Sequence, residues 1–98
     1  MFNPIQYDYK EFTLATGTDD YDIKSEVLEL FSNVDVARRC IIKTNKTISF
    51  RFNNVNLPLI ELTLGYVPFQ MPEDFMEIHD IFISNNSGAT ATISIWLV

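Results

Sequence analysis

The stretch from residue 89 to residue 97 alternates without a break: Ala89, Ala91, Ile93, Ile95 and Leu97 take one parity, and Thr90, Thr92, Ser94 and Trp96 take the other. A side-chain period of two belongs to an extended strand, whereas a helix would scatter the same residues around its axis. The pattern therefore predicts a strand with its Ala, Ile and Leu face in a core and Trp96 on the opposite side. Shorter versions recur along the chain. Ile48, Phe50 and Phe52 alternate with Ser49 and Arg51, Ile60, Leu62 and Leu64 alternate with Glu61 and Thr63, and Phe12 shares a parity with Leu14 in a strand expected over residues 11–16. Gly, Asn, Asp and Pro separate these runs at roughly the 8-to-12-residue spacing of a sandwich or barrel. No window keeps a helical period for three turns. With 98 residues the chain can bury one core. The expected fold is all-β, an antiparallel β-sandwich, jelly-roll-like or Ig-like, of about seven to eight strands. An N-terminal arm over residues 1–10 precedes a single domain over 11–98.

Two connectors read as hairpin turns. Thr44-Asn45-Lys46 joins a strand at 37–43 to one at 47–52, and Asn85-Asn86-Ser87-Gly88 joins a strand at 75–84 to one at 89–97. The strand at 75–84 changes parity, because Met76 and Ile78 differ from Ile81 and Ile83. A bulge near His79 and Asp80 would return all four to the core side and set Phe82 on the same outer face as Trp96. A strand buried on both faces, or two strands meeting at a bend, would also fit. Residues 25–32 fit either a short helix capped by Ser25, with Val27, Leu28 and Phe31 as its stripe, or a strand or irregular segment.

Charge and motif content narrow the function. The net charge of −6 has the wrong sign for a general nucleic-acid binder, and no apolar run approaches the about 20 residues of a membrane-spanning helix. The opening residues carry no basic region or apolar stretch of a secretory leader, and none is expected. Cys40 is the one cysteine and His79 the one histidine, too few for a disulfide or a zinc set. Cys40, beside Ile41 and Ile42, reads as a buried inert thiol. Asp19, Asp20 and Asp22 lack the alternation and closing Glu of a calcium loop and read as a solvated acidic turn. There is no nucleophile elbow and no phosphate-binding glycine loop. No cofactor, metal, small-molecule ligand, nucleic acid or membrane partner is expected, and no catalytic residue is assigned.

What remains is surface. Residues 1–35 hold eight acids and two bases, whereas residues 36–56 hold five bases (Arg38, Arg39, Lys43, Lys46, Arg51) and no acid. These two segments are expected to face each other, within a subunit or across an interface. Parity separates Phe50 and Phe52 from Arg51, so those aromatics belong to the core rather than to a base-stacking site. The arm carries Phe2, Ile5, Tyr7 and Tyr9, a set of large apolar residues that needs cover from a neighbour or from the sandwich edge. Trp96 and Phe82, on a face otherwise made of Thr and Ser, are the remaining interface candidates, together with Arg38 and Arg39.

One resemblance bears on role. Val36-Ala37-Arg38, then Ile42-Lys43-Thr44-Asn45 leading to Ile48-Ser49-Phe50-Arg51-Phe52-Asn53, and the closing run from Ile81 to Ile93 with Asn85-Asn86-Ser87-Gly88 at its middle, resemble small virion proteins of tailed bacteriophages. The similarity spans about residues 34–98, two-thirds of the chain. Such proteins are β-sandwiches that decorate or cement capsids or build connectors and fibres. The resemblance implies a non-enzymatic structural protein that self-associates and attaches to major capsid or tail protein, assembled in the host cytoplasm and resident in the virion. A carbohydrate- or receptor-binding module, with Trp96 and Tyr66 as stacking platforms, is the alternative.

Overall fold

The computed structural model describes residues 6–62, 69–70 and 77–98. Among them are eight strands and one short helix, in the order β1 (Asp8–Leu14), β2 (Thr18–Asp22), α1 (Ile23–Glu26), β3 (Cys40–Thr44), β4 (Ile48–Phe52), β5 (Ile60–Leu62), β6 (Phe69–Gln70), β7 (Ile81–Asn85) and β8 (Ala91–Leu97). The strands make two antiparallel sheets, ordered β1-β8-β3-β6 and β2-β7-β4-β5. The pairs β1 with β8, β2 with β7, β3 with β6 and β4 with β5 are those of one long hairpin folded back on itself. The contacts β8 with β3 and β7 with β4 then roll that ribbon into two layers. Of the two expected sandwiches, the jelly-roll order is the one adopted.

The core lies between the layers. Ala91, Ile93, Ile95 and Leu97 are fully buried on the inner side of β8, and Ile48, Phe50 and Phe52 answer them from β4, with the two Phe rings 5.4 Å apart edge to face. In β5 Ile60 is 41% exposed and only Leu62 packs against the core, whereas the alternations of β8 and β4 point the way they were expected to.

The connections between them do not. β3 and β4 lie in different sheets, as do β7 and β8, so neither expected hairpin forms. An amphipathic strand buries the same face whether its successor pairs beside it or crosses to the facing sheet, and alternation alone cannot separate the two. At the second crossing Asn85, fully buried, donates through Nδ2 to the carbonyls of Leu14 (2.8 Å) and Ala89 (3.0 Å) and accepts from Ser87 N–H (3.0 Å) and Oγ (2.7 Å).

The parity change before β7 is a bend rather than a bulge. Ile78 makes an isolated bridge to Ala37, and β7 starts only at Ile81. Asn53, at a φ of 67°, holds the bend: its Oδ1 accepts from the N–H groups of His79 (2.6 Å) and Asp80 (3.2 Å), and its Nδ2 donates to the Glu77 carbonyl (2.8 Å). Ile78, Ile81 and Ile83 all reach the core. Met76 lies outside the described residues.

The segment at 25–32 is largely irregular. Its helix is a single turn that starts earlier, capped by the Asp22 carboxylate on Ser25 N–H. The apolar residues that turn inward are Val27, Leu30 and Phe31, and Leu28 is 75% exposed.

Candidate interaction surface

The outer face of the β1-β8-β3 layer is built row by row from the strand registers. Trp96 stands between Tyr9 on β1 and Ile41 on β3, and two residues along, Ser94 stands between Glu11 and Lys43. The next row has Thr13 beside Thr92, whose N–H donates to Asn45 Oδ1 (2.7 Å) and whose carbonyl accepts from Asn45 N–H (3.2 Å). Trp96 thus takes the outer position that its parity predicts. Its ring centroid lies 4.5 Å from that of Tyr9, at an interplanar angle of 35°.

At the other end the ladder continues past β8. Val98 N–H donates to the Arg39 carbonyl (3.1 Å), and the Val98 carbonyl accepts from the N–H groups of Arg38 (2.8 Å) and Arg39 (3.1 Å). Tyr7 immediately precedes β1 and Val98 immediately follows β8, each one residue beyond the Asp8–Leu97 pair. Tyr7, Tyr9 and Val98 are 60%, 42% and 46% exposed. With Trp96 and Ile41 they form one apolar patch at one end of an outer sheet face, with Arg38 and Arg39 at its border.

The patch has a rigid footing. Asp8, one residue before Tyr9, faces inward and is buried, where its carboxylate accepts from Val34 N–H (2.9 Å), Asn33 N–H (3.1 Å) and Ser32 Oγ (3.2 Å). Burial pushes the Asp8 carboxyl upward, but these donors outweigh it and hold the group below the usual carboxylate range. Beside the aromatic row is a shallow depression of about 290 Å³ lined by Glu11, Lys43, Thr44, Asn45, Thr92 and Ser94.

Of the residues singled out from the sequence, Tyr7, Tyr9, Trp96, Arg38 and Arg39 gather here. Phe82 does not: it lies on β7, between Asp22 and Arg51 on the outside of the other sheet, because the chain crosses layers between β7 and β8. Phe2, Ile5 and Tyr66 lie outside the described residues. Residues 66–75 also lie outside them apart from the backbone of β6. Ile41, Glu11 and Val98 were not among the surface candidates, and Lys43 was named only as part of the basic segment. Parity gives their faces, but only the strand order makes them neighbours of Trp96.

The charged segments meet in a well-formed contact between Arg51 and Asp20. Arg51 holds Asp20 with two parallel bonds, the Nε to Oδ1 distance being 2.9 Å, and its third donor reaches the Leu57 carbonyl (2.9 Å). Arg38 approaches Glu77 at 3.9 Å in the open, and Lys10 approaches Glu29 at 3.4 Å within the acidic third itself.

Asp22 belongs to a different contact, a carboxylate pair with Asp80. Burial and the Asp22 carboxylate push Asp80 up to about 6; burial also raises Asp22, but the bonds it receives from Asp80 and Ser25 bring it below the ordinary value. Cys40 is buried and desolvation pushes its thiol up to about 12, which leaves it protonated and unreactive at neutral pH. Among the described residues no three metal-ligating side chains converge. Compared with models of protein families, with curated proteins and with solved structures, the chain finds no match.

Proposed function

We propose that this chain is a non-enzymatic structural protein of a phage virion, which self-associates and attaches to capsid or tail protein to stabilise or decorate the particle. One observation carries the reading: a contiguous, largely exposed apolar patch of Tyr7, Tyr9, Ile41, Trp96 and Val98 on the outer face of a sheet whose inner face already fills the core. Aromatic clusters of this kind concentrate binding energy at interface centres. The fold is compatible, since jelly rolls serve as viral capsid domains, although lectins and cupins share them.

Size-exclusion chromatography with light scattering, followed by co-sedimentation with capsids, tests the proposal. Self-association and capsid binding are expected, and a strict monomer that ignores capsids would reject it.

A saccharide-binding module is the second reading. It rests on the Tyr9–Trp96 ring pair standing next to a depression lined with both donors and acceptors. Binding of free glycans by the isolated protein would favour it.

A further inference from the structure

We infer that the occupant of this face is a second copy of the same chain, docked about a two-fold axis parallel to β8. The inference rests on the self-association proposed above and adds the register. Across the sheet the second row reads Glu11, Ser94, Lys43, one charge of each sign on either side of the central strand. Both charged side chains are exposed, and neither makes an ion pair with any described residue.

A two-fold axis running along β8, between two facing sheets, exchanges the flanking strands and keeps each row at its own height. Glu11 then meets Lys43 of the second copy, and Lys43 meets its Glu11. The same operation sets Trp96 against Trp96 near the axis, and Tyr9 against Ile41 of the second copy, so that the apolar row closes on itself. Such an interface is isologous, and each contact is made twice. The strands of the two outer faces would run nearly aligned, as in sheet-on-sheet packing at about 10 Å. An axis at right angles to the strands through the same row would instead set Glu11 against Glu11 and Lys43 against Lys43, which like-charge repulsion disfavours.

The two charges sit on exposed positions, so reversing them leaves the core untouched. In the proposed register Glu11→Lys sets Lys against Lys twice, and Lys43→Glu sets Glu against Glu twice. Each variant alone should self-associate about tenfold more weakly than the wild type or worse. Mixing the two should restore association, because in the mixed dimer both contacts are again between opposite charges.

Sedimentation velocity on a dilution series reads all four samples, the wild type, each variant and the equimolar mixture. Circular dichroism confirms that the variants keep their fold. Recovery to within about threefold of wild type in the mixture, and only there, is the expected result. A wild type that associates while both variants associate equally well overturns the register, as does a mixture that fails to recover. A wild type that stays monomeric at every concentration overturns the self-association itself.

Discussion

In composition Asp8 is one more acid in an acidic stretch, yet in the fold it is a structural anchor whose carboxylate satisfies the backbone N–H groups of Asn33 and Val34 and the hydroxyl of Ser32. Replacing it with Ala leaves those donors in a buried site without an acceptor, and Asp8→Ala should cost about 2–4 kcal/mol in urea unfolding. Its folded pKa lies below the ordinary value, so its contribution is present at neutral pH and is lost as the pH falls through that lowered value. Asp80 behaves in the opposite sense. Its pKa rises from 3.8 to about 6, so the folded protein holds the proton more tightly than the unfolded chain does. The associated stability is complete below the ordinary value and is lost as the pH rises through about 6. Asp80→Asn keeps an oxygen to accept from Lys24 and Ile81 N–H and offers an amide to Asp22. Because the site is partly solvated, the variant should gain only about 1 kcal/mol over wild type at pH 7 and nothing near pH 4. A difference that stays constant across that range would show that the pair does not titrate there. Neither role was visible in the sequence, since Ser32, Asn33 and Val34 lie 24 or more residues from Asp8, and Lys24, whose N–H meets Asp80, lies 56 residues from it.

At the scale of elements, the inner faces of β4 and β8 were legible and the neighbours of those strands were not. Parity placed Phe50, Phe52, Ile93 and Ile95 inside and Trp96 outside, because a strand with one apolar face has only one way to bury it. The connectors failed as guides. Asn85-Asn86-Ser87-Gly88 carries the residues of a tight turn, and Gly88 does adopt a φ of 89°, but the chain spends them on a crossing between layers. The difference lies in Asn85, whose side chain ties the end of β1 to the connector and so spans two sheets. Asn85→Asp preserves its shape and its accepting oxygen but removes both amide donors, setting a carboxylate against the carbonyls of Leu14 and Ala89. A loss of about 2–4 kcal/mol is expected in thermal or urea unfolding, more than any exposed Asn in the same connector would give. A loss no larger than that from Asn86→Asp would show that Asn85 does not hold the crossing. Edge protection is also an element-level feature. Lys10, on the core-facing parity of edge strand β1 and opposite Ile95, reaches out to Glu29, and an inward-pointing charge on an edge strand discourages edge-to-edge pairing.

For the whole molecule, β8, flanked along its length by β1 and β3, closes the core with one face and carries the proposed interface on the other. Ile95 and Trp96 are neighbours in the chain and point to opposite sides of the sheet, which separates the two functions at adjacent positions. Ile95 is fully buried, and Ile95→Ala removes apolar volume from the middle of the core, at an expected cost of about 3–4 kcal/mol. A domain of this size has a total stability of about 5–10 kcal/mol, so the variant should unfold at much lower urea while its folded fraction keeps the surface needed to associate. Trp96 is half-buried and rests on Tyr9. Trp96→Ala forfeits that ring contact and some covered area, about 1–2 kcal/mol of subunit stability, but it empties the centre of the patch. Self-association should fall about tenfold or more while the far-ultraviolet spectrum and the cooperativity of unfolding stay those of the wild type. Measured side by side, the two variants should fail in opposite assays, one in unfolding and the other in sedimentation. A loss of about 3–5 kcal/mol on Trp96→Ala with assembly intact would assign the indole to the interior of the subunit and remove the patch as an interface.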